Sequence, residues 1–189
     1  MENNFQMVAK TMFGFEDLLE KELTQLGAQR VKKGVRNVTF YGDTGFMYKC
    51  NLSLRTAVKI LKPIASFKVV NETDLYDKIY NIKWENYIDH TGTIAINSTV
   101  HSNVFTHSQY ISLKAKDAIV DRIRSISGER PSVDLKFPDL KINIHIDKLF
   151  CNVSLDSSGE SLHKRGYKTA TNIAPINEVL AAGLVMLSG

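Results

Sequence analysis

The first 67 residues hold short apolar segments between turn signals, and the periods of those segments alternate in an order that few folds accommodate. Phe5 to Met12 reads as a strand. Phe13-Gly14-Phe15 turns it into a helix from Glu16 to Leu26, because Leu18, Leu19, Glu22, Leu23 and Leu26 recur at helical spacing and Gly27 supplies the stop. Glu16 and Asp17 fall in its first turn, where the positive end of the helix dipole favours acids. A strand around Gln29 to Lys33, a turn at Gly34 and a strand from Asn37 to Tyr41 follow, closed by Gly42-Asp43. A second helix from about Thr44 to Leu52 precedes a strand from Ala57 to Phe67. The order β-α-β-β-α-β is a split βαβ unit. Its open sheet face or edge has to be covered by something, and the rest of the chain is the candidate.

Beyond it the pattern changes. Residues 73 to 88 predict a helix with an irregular end, carrying Leu75, Ile79, Ile82 and Trp84 on its apolar side. Trp84 is the single tryptophan, and in an amphipathic stretch its expected place is the core. Thr93 to Val100 alternates apolar with small or polar residues, as a half-buried strand does. A loop of serines, histidines and an asparagine leads to a long helix, Gln109 to Ile126, with one arginine, Arg122, in its apolar stripe and Gly128 at its end. Arg130-Pro131 begins an extended segment. Lys141–Ile146 and Phe150–Leu155 predict a hairpin, followed by the turn Asp156-Ser157-Ser158-Gly159. A final apolar helix is expected to open at Ala174-Pro175.

Hydrophobic residues are 43% and charged residues 23% of the chain, the balance of a globular protein rather than a disordered one. A formal net charge of +4 permits nucleic acid as a partner without requiring it. Distribution says more than the sum. Arg30, Lys32, Lys33 and Arg36 share a segment with no acid, and so do Lys164, Arg165 and Lys168. Cys50 and Cys151 lie far apart in apolar settings, which argues for a reducing compartment and against a disulfide framework or a zinc site. The first residues are not a signal peptide and no apolar run approaches a membrane span, so the expected location is cytoplasmic.

One ordered series is specific. It runs Leu113-Lys114-Ala115-Lys116-Asp117-Ala118-Ile119-Val120-Asp121, then Gly128-Glu129-Arg130-Pro131-Ser132-Val133-Asp134, then Pro138-Asp139-Leu140 and the hairpin. It closes on Leu155-Asp156-Ser157-Ser158-Gly159-Glu160-Ser161-Leu162-His163-Lys164-Arg165-Gly166-Tyr167. This series resembles the core of a THUMP domain. Its last part, followed by Ala174-Pro175-Ile176-Asn177-Glu178-Val179-Leu180-Ala181-Ala182, is similar to one branch in particular. There the domain precedes an S-adenosylmethionine-dependent methyltransferase that makes N2-methylguanosine in large-subunit ribosomal RNA. Residues 1–67 resemble the ferredoxin-like domain that accompanies THUMP. The resemblance stops short of catalysis. No Gly-x-Gly run and no adjacent prolines exist here to form the family's cofactor and base-holding loops, so no catalytic residue carries over. S-adenosylmethionine is expected in a domain absent from this chain.

The fold expected is therefore α+β: a ferredoxin-like domain over 1–67, a THUMP domain over 68–168, and a linker with the first helix of a methyltransferase domain over 169–189. The expected function is to position structured RNA, 23S ribosomal RNA first and transfer RNA as the alternative, for that downstream domain. The RNA-binding set expected is Lys116, Arg130, His163, Lys164, Arg165, Tyr167 and Lys168. The cations would meet phosphates, while His163 and Tyr167 could stack on bases. Lys114 and Lys116, about 200° apart around a helix, are not expected to lie on one surface. Asp117 and Asp121 are expected to hold Lys114, Arg124 or Arg130 in place. A stand-alone metal enzyme on Asp117, Asp121 and Asp134 finds no nucleophile or base to support it. An adaptor role would use the terminal apolar helix, which is expected to stand exposed and drive self-association.

Overall fold

Strand β1 (Phe5–Thr11) buries Met7, Ala9 and Thr11 and leaves Gln6, Val8 and Lys10 on the other side, the period-two alternation of a sheet with one covered face. In this computed structural model, which describes residues 4–166 and 175–188, β1 lies between β3 (Asn37–Gly42) and β4 (Ala57–Lys68), antiparallel to both. Strand β2 (Gln29–Gly34) pairs with the far side of β3. Helices α1 (Glu16–Leu26) and α2 (Thr44–Ser53) supply Leu19, Leu23, Met47 and Cys50 to a core shared with Met7, Val38, Phe40 and Ile60. The ends of both helices are built locally. Gly27, at φ 99°, takes the left-handed turn that closes α1. Asp43 accepts the Phe46 N–H at 2.7 Å to start α2.

Two compact units divide the chain, residues 1–62 with 157–189 and residues 63–156. In the second, α3 (Glu72–Tyr80) and a single 3₁₀ turn (Trp84–Asn86) precede β5 (Thr93–His101) and the 20-residue α4 (Ser108–Ser127). The short β6 (Ser132–Val133) and the hairpin β7 (Leu140–Asp147) and β8 (Phe150–Asp156) complete it. The strands run in the order β4-β8-β7-β5-β6, with β5 parallel to both neighbours and β7 antiparallel to β8. Ile94, Ile142, Ile144 and Val153 meet Leu75, Ile79, Ile111, Ala115 and Ile119 in one core. Trp84 is buried there as expected, its indole N–H donating to the Ile79 carbonyl at 2.8 Å. That bond explains why the predicted helix over 73–88 stops at Tyr80: the chain turns so that the indole folds back beneath α3.

Two expectations differ from the structure at the C-terminal end. Residues 157–166 were expected to close the second domain, but they return to the first unit. Ser157 and Leu162 donate their backbone N–H groups to Ile60 and Val58 of β4, at 3.0 and 2.8 Å, and the Leu162 side chain is buried in the first core. The terminal helix α5 (Glu178–Leu187) starts later than expected because Asn177 caps it, its Oδ1 accepting the N–H groups of Val179 and Leu180. The helix is not bare either: Val179 is buried and Gly183 lies under the Phe15 ring, while Leu184, Val185 and Leu187 face outward.

Candidate nucleic-acid interface

Helix α4 runs along the second unit with Ile111, Ala115, Ala118, Ile119 and Ile123 inward, which leaves its charged positions on the flanks. The flank beside β6 forms a cleft of about 610 Å³, lined by Lys114, Lys116, Asp117 and Asp121 of α4, Tyr76 of α3, and Arg130 to Val133 of the following segment. Lys116 and Arg130, predicted to share a groove, do share it. Lys114 joins them, against expectation. Backbone angle separates the two lysines, but a four-carbon stem reaches around the helix, and the Lys114 ammonium rests over the Tyr76 ring at 5.3 Å from its centroid.

The two acids of the cleft have structural partners. Asp117 holds the Lys116 ammonium at 2.8 Å, and Asp121 accepts the Tyr76 hydroxyl at 2.6 Å. That hydrogen bond, with burial second, pushes the Tyr76 hydroxyl up to about 12, so it stays a donor locked onto Asp121. Arg122, the charge inside the predicted apolar stripe, is accounted for by a forked contact to Glu85, the shorter arm 2.6 Å. The cleft therefore offers three cations against two acids. An exposed lysine–carboxylate pair is worth about 0–1 kcal/mol, so Lys116 can exchange Asp117 for a stronger anion at little cost.

Adjoining the cleft through Lys116 and Val133 is a groove of about 380 Å³ between β5 and α4. Its walls are mostly apolar, with Ile96, Leu113 and Leu135, and apart from Lys116 its polar groups are neutral, with Asn97, Ser98 and Gln109. Leu135 and Phe137 stand 77% and 81% exposed on the turn after β6, which Asp134 shapes by accepting the N–H groups of Lys136 and Phe137. A charged cleft opening into a mostly apolar groove suits a polymer that has anionic links and flat, hydrogen-bonding side groups.

The other sequence-predicted residues fall elsewhere. His163, Lys164 and Arg165 belong to the first unit. Lys164 is exposed, with Glu160 at 3.7 Å, and the His163 Nδ1 meets the Ser161 hydroxyl at 2.7 Å. Arg165 reaches inward. Its guanidinium donates to the carbonyls of Asn51, Leu52 and Leu54 at 2.7, 3.3 and 2.6 Å, closing the open C-terminal end of α2, while its backbone N–H donates to Glu178. Tyr167 and Lys168 lie outside the described residues. Among the described residues, no group of three or more His, Cys, Asp or Glu side chains could hold a metal.

Residues 69–156, which supply every element of the cleft and the groove, match the THUMP domain family. The chain carries a THUMP domain. Residues 6–61 match the RlmL ferredoxin-like domain, so both units have a family counterpart. The THUMP match ends at Asp156, where the second unit also ends. The THUMP chain is 42% identical over 176 residues to a Synechocystis protein provisionally named as an RNA methyltransferase, covering 93% of this chain and 46% of the relative. It is 38% identical to the ribosomal RNA large subunit methyltransferase K/L of Syntrophotalea carbinolica, covering 93% of this chain and 25% of that protein. Among solved structures it resembles SMU.472, a methyltransferase candidate complexed with SAH, with a TM-score of 0.83 and 28% identity over 99% of this chain and 49% of that one. The chain thus spans between a quarter and a half of the length of these relatives.

Proposed function

We propose that this chain is the RNA-positioning portion of an S-adenosylmethionine-dependent RNA methyltransferase, one that presents structured 23S ribosomal RNA for N2-methylation of a guanine. The cleft of the THUMP domain carries this reading: Lys114, Lys116 and Arg130 converge on one concavity. Each lysine or arginine placed on a phosphate releases counterions, so such a cleft contributes affinity without reading sequence. The mostly apolar groove beside it accepts bases or riboses of nucleotides leaving a stem. Lys116 and Arg130 are the proposed phosphate contacts, with Lys114 added. His163, Lys164, Tyr167 and Lys168 stay proposed as an outlying contact. Arg165 is instead proposed to hold the tail against α2, because its donors already meet carbonyls there.

The ribosomal substrate is supported by the names of the K/L relatives, and the methyl donor by the SAH-bound neighbour. The donor is proposed to bind outside the two units described. The first strand–helix turn, Met12-Phe13-Gly14-Phe15, has one glycine, and two of its N–H groups are already engaged: Gly14 donates to the Glu16 carboxylate at 2.8 Å and Phe15 to the Met12 carbonyl at 3.2 Å. We therefore assign the methyl transfer, and S-adenosylmethionine with it, to a further domain, and to this chain binding and no turnover. Among the described residues no helix is long and apolar enough to cross a membrane. A cytoplasmic location follows from the proposed ribosomal substrate.

Fluorescence anisotropy with a 23S hairpin, a transfer RNA and a plain duplex, each over a salt series, tests the proposal. Preference for the hairpin, lost in Lys116→Gln/Arg130→Gln, supports it. Preference for transfer RNA moves the substrate to the alternative reading. Equal binding of all three, unchanged by the two substitutions, overturns the cleft as the site.

A further inference from the structure

The segment Arg30–Arg36 drew notice for its charge, and the cleft does not use it. Register divides its cations between two sides of the first unit. Lys33 stands opposite Val38, whose side chain is buried under the helices, and its ammonium meets Asp17 at 2.5 Å and Glu20 at 3.3 Å. Lys32 stands opposite Thr39, and Thr39 opposite Val8, so these project from the helix-free face. On that same face the register sets Lys10 beside Asn37, and Gln6 beside Tyr41. Arg30 joins them by an irregularity. The pairing of β2 with β3 shifts between Gln29 and Lys32, Arg30 takes the left-handed conformation at φ 50°, and its guanidinium lies 5.4 Å over the Tyr41 ring.

From these observations we infer that the helix-free face of the ferredoxin-like sheet, at β1-β3-β2, is a second RNA-backbone contact surface, with Lys10, Arg30 and Lys32 as its phosphate-binding cations and Gln6, Asn37, Thr39 and Tyr41 as polar neighbours. The inference takes its ligand class from the RNA-binding reading above and adds a site to it. No acid occurs at any of these register positions, whereas α1 carries Glu16, Asp17, Glu20 and Glu22 on the opposite side. Among the described residues neither Arg30 nor Lys32 has a carboxylate partner. Lys10 is half-buried, and desolvation lowers its tendency to stay charged, a cost that a phosphate oxygen would offset. Strand spacing and rise put Lys10 and Lys32 roughly 12 Å apart, so they grip separate phosphates rather than chelating one. A protein partner fits less well. The aliphatic side chain at this end of the face is Val8, half-buried, and the Tyr41 ring, the aromatic anchor a partner would need, is already covered by the Arg30 guanidinium.

The test is a salt series of RNA binding by the whole chain, with a 23S hairpin as the probe and four proteins in parallel. These are the unsubstituted chain, the face pair Arg30→Asn/Lys32→Gln, the cleft pair Lys116→Gln/Arg130→Gln, and a charge-matched control, Lys21→Gln/Lys33→Gln, on the α1 side. Asparagine tolerates the left-handed backbone at position 30, and an unchanged melting temperature verifies the fold. The face pair is expected to bind roughly ten-fold more weakly at low salt, with the slope of log K against log salt shallower by about 1.5, while the control does not move. Loss by the cleft pair alone overturns this inference and leaves the cleft reading standing. Loss by the face pair alone sustains it and overturns the cleft. Equal loss by face pair and control reduces the effect to net charge and overturns it. An unsubstituted chain that fails to bind at low salt overturns both.

Discussion

Arg165 shows how far one residue's composition can mislead about its role. It sits in a run of cations, Lys164-Arg165 with Lys168 beyond, that reads as a grip on phosphate, yet its guanidinium caps the carbonyls of Asn51, Leu52 and Leu54. Nothing local could reveal this, because the partners lie more than 110 residues away in sequence. Replacing Arg165 by Met is expected to cost about 1–3 kcal/mol in chemical denaturation, the range for hydrogen bonds to a charged group, while RNA affinity measured on folded protein stays level. Lost affinity with undiminished stability would return Arg165 to the RNA. Glu22 is the converse case, an acid on the predicted apolar face of α1 that is 5% exposed. It accepts from the Arg55 and Thr56 backbone N–H groups, the Arg55 side chain and the Thr56 hydroxyl. Both cysteines are buried, and desolvation pushes each thiol up to about 12. They should therefore resist iodoacetamide at pH 8 until the chain is unfolded in denaturant. Rapid labelling of native protein would contradict their burial.

At the scale of elements, periodicity located nearly everything inside the two units. Helix α1 falls at Glu16–Leu26, where leucine spacing and Gly27 put it, and the β-α-β-β-α-β order holds through β4. What stayed illegible is where the chain goes after β8, since the return of 157–166 to β4 rests on serine hydroxyls, backbone groups and the Leu162 side chain whose partners lie far away in sequence. Helix α5 belongs to that hidden part. A Cβ on Gly183 would lie 2.2 Å from the Phe15 ring, so Gly183→Val should lift α5 from its seat. Faster proteolysis within 178–187, with the rest of the chain protected, is the expected result, and an unchanged digestion pattern would contradict it. The start of α1 carries a pH signature. Glu16 accepts the Arg36 and Gly14 N–H groups, both at 2.8 Å, and these bonds, Arg36 first, hold its carboxyl below the usual range. A carboxylate depressed in the folded state contributes stability above its unfolded value and loses it as pH falls through the folded one. Glu16→Gln should accordingly flatten the decline of stability below about pH 4.3, measured by denaturant midpoints across that range.

For the whole molecule, the sequence conveyed the domain family more readily than the surfaces proposed to meet RNA. Family-like runs around Lys114–Asp121 and Gly128–Asp134 pointed to the THUMP domain, which the match over 69–156 bears out. The proposed contact surfaces depend on pairing across elements. Tyr76 enters the cleft because α3 packs beside α4, and Arg30 reaches the open sheet face through a register shift in β2. Neither arrangement leaves a mark on local pattern. Charge is likewise sorted by fold, with α1 acidic and the helix-free face of its sheet basic. The central claim is that the THUMP cleft holds RNA. Ultraviolet cross-linking of the chain to a 23S hairpin, followed by mass spectrometry of the linked peptides, tests it most directly. The account predicts cross-links in peptides containing Tyr76, Lys116 and Arg130, with more at Phe137 beside the groove. Cross-links confined to the acidic α1 side of the first unit, with none on α4 or the segment after it, would contradict it.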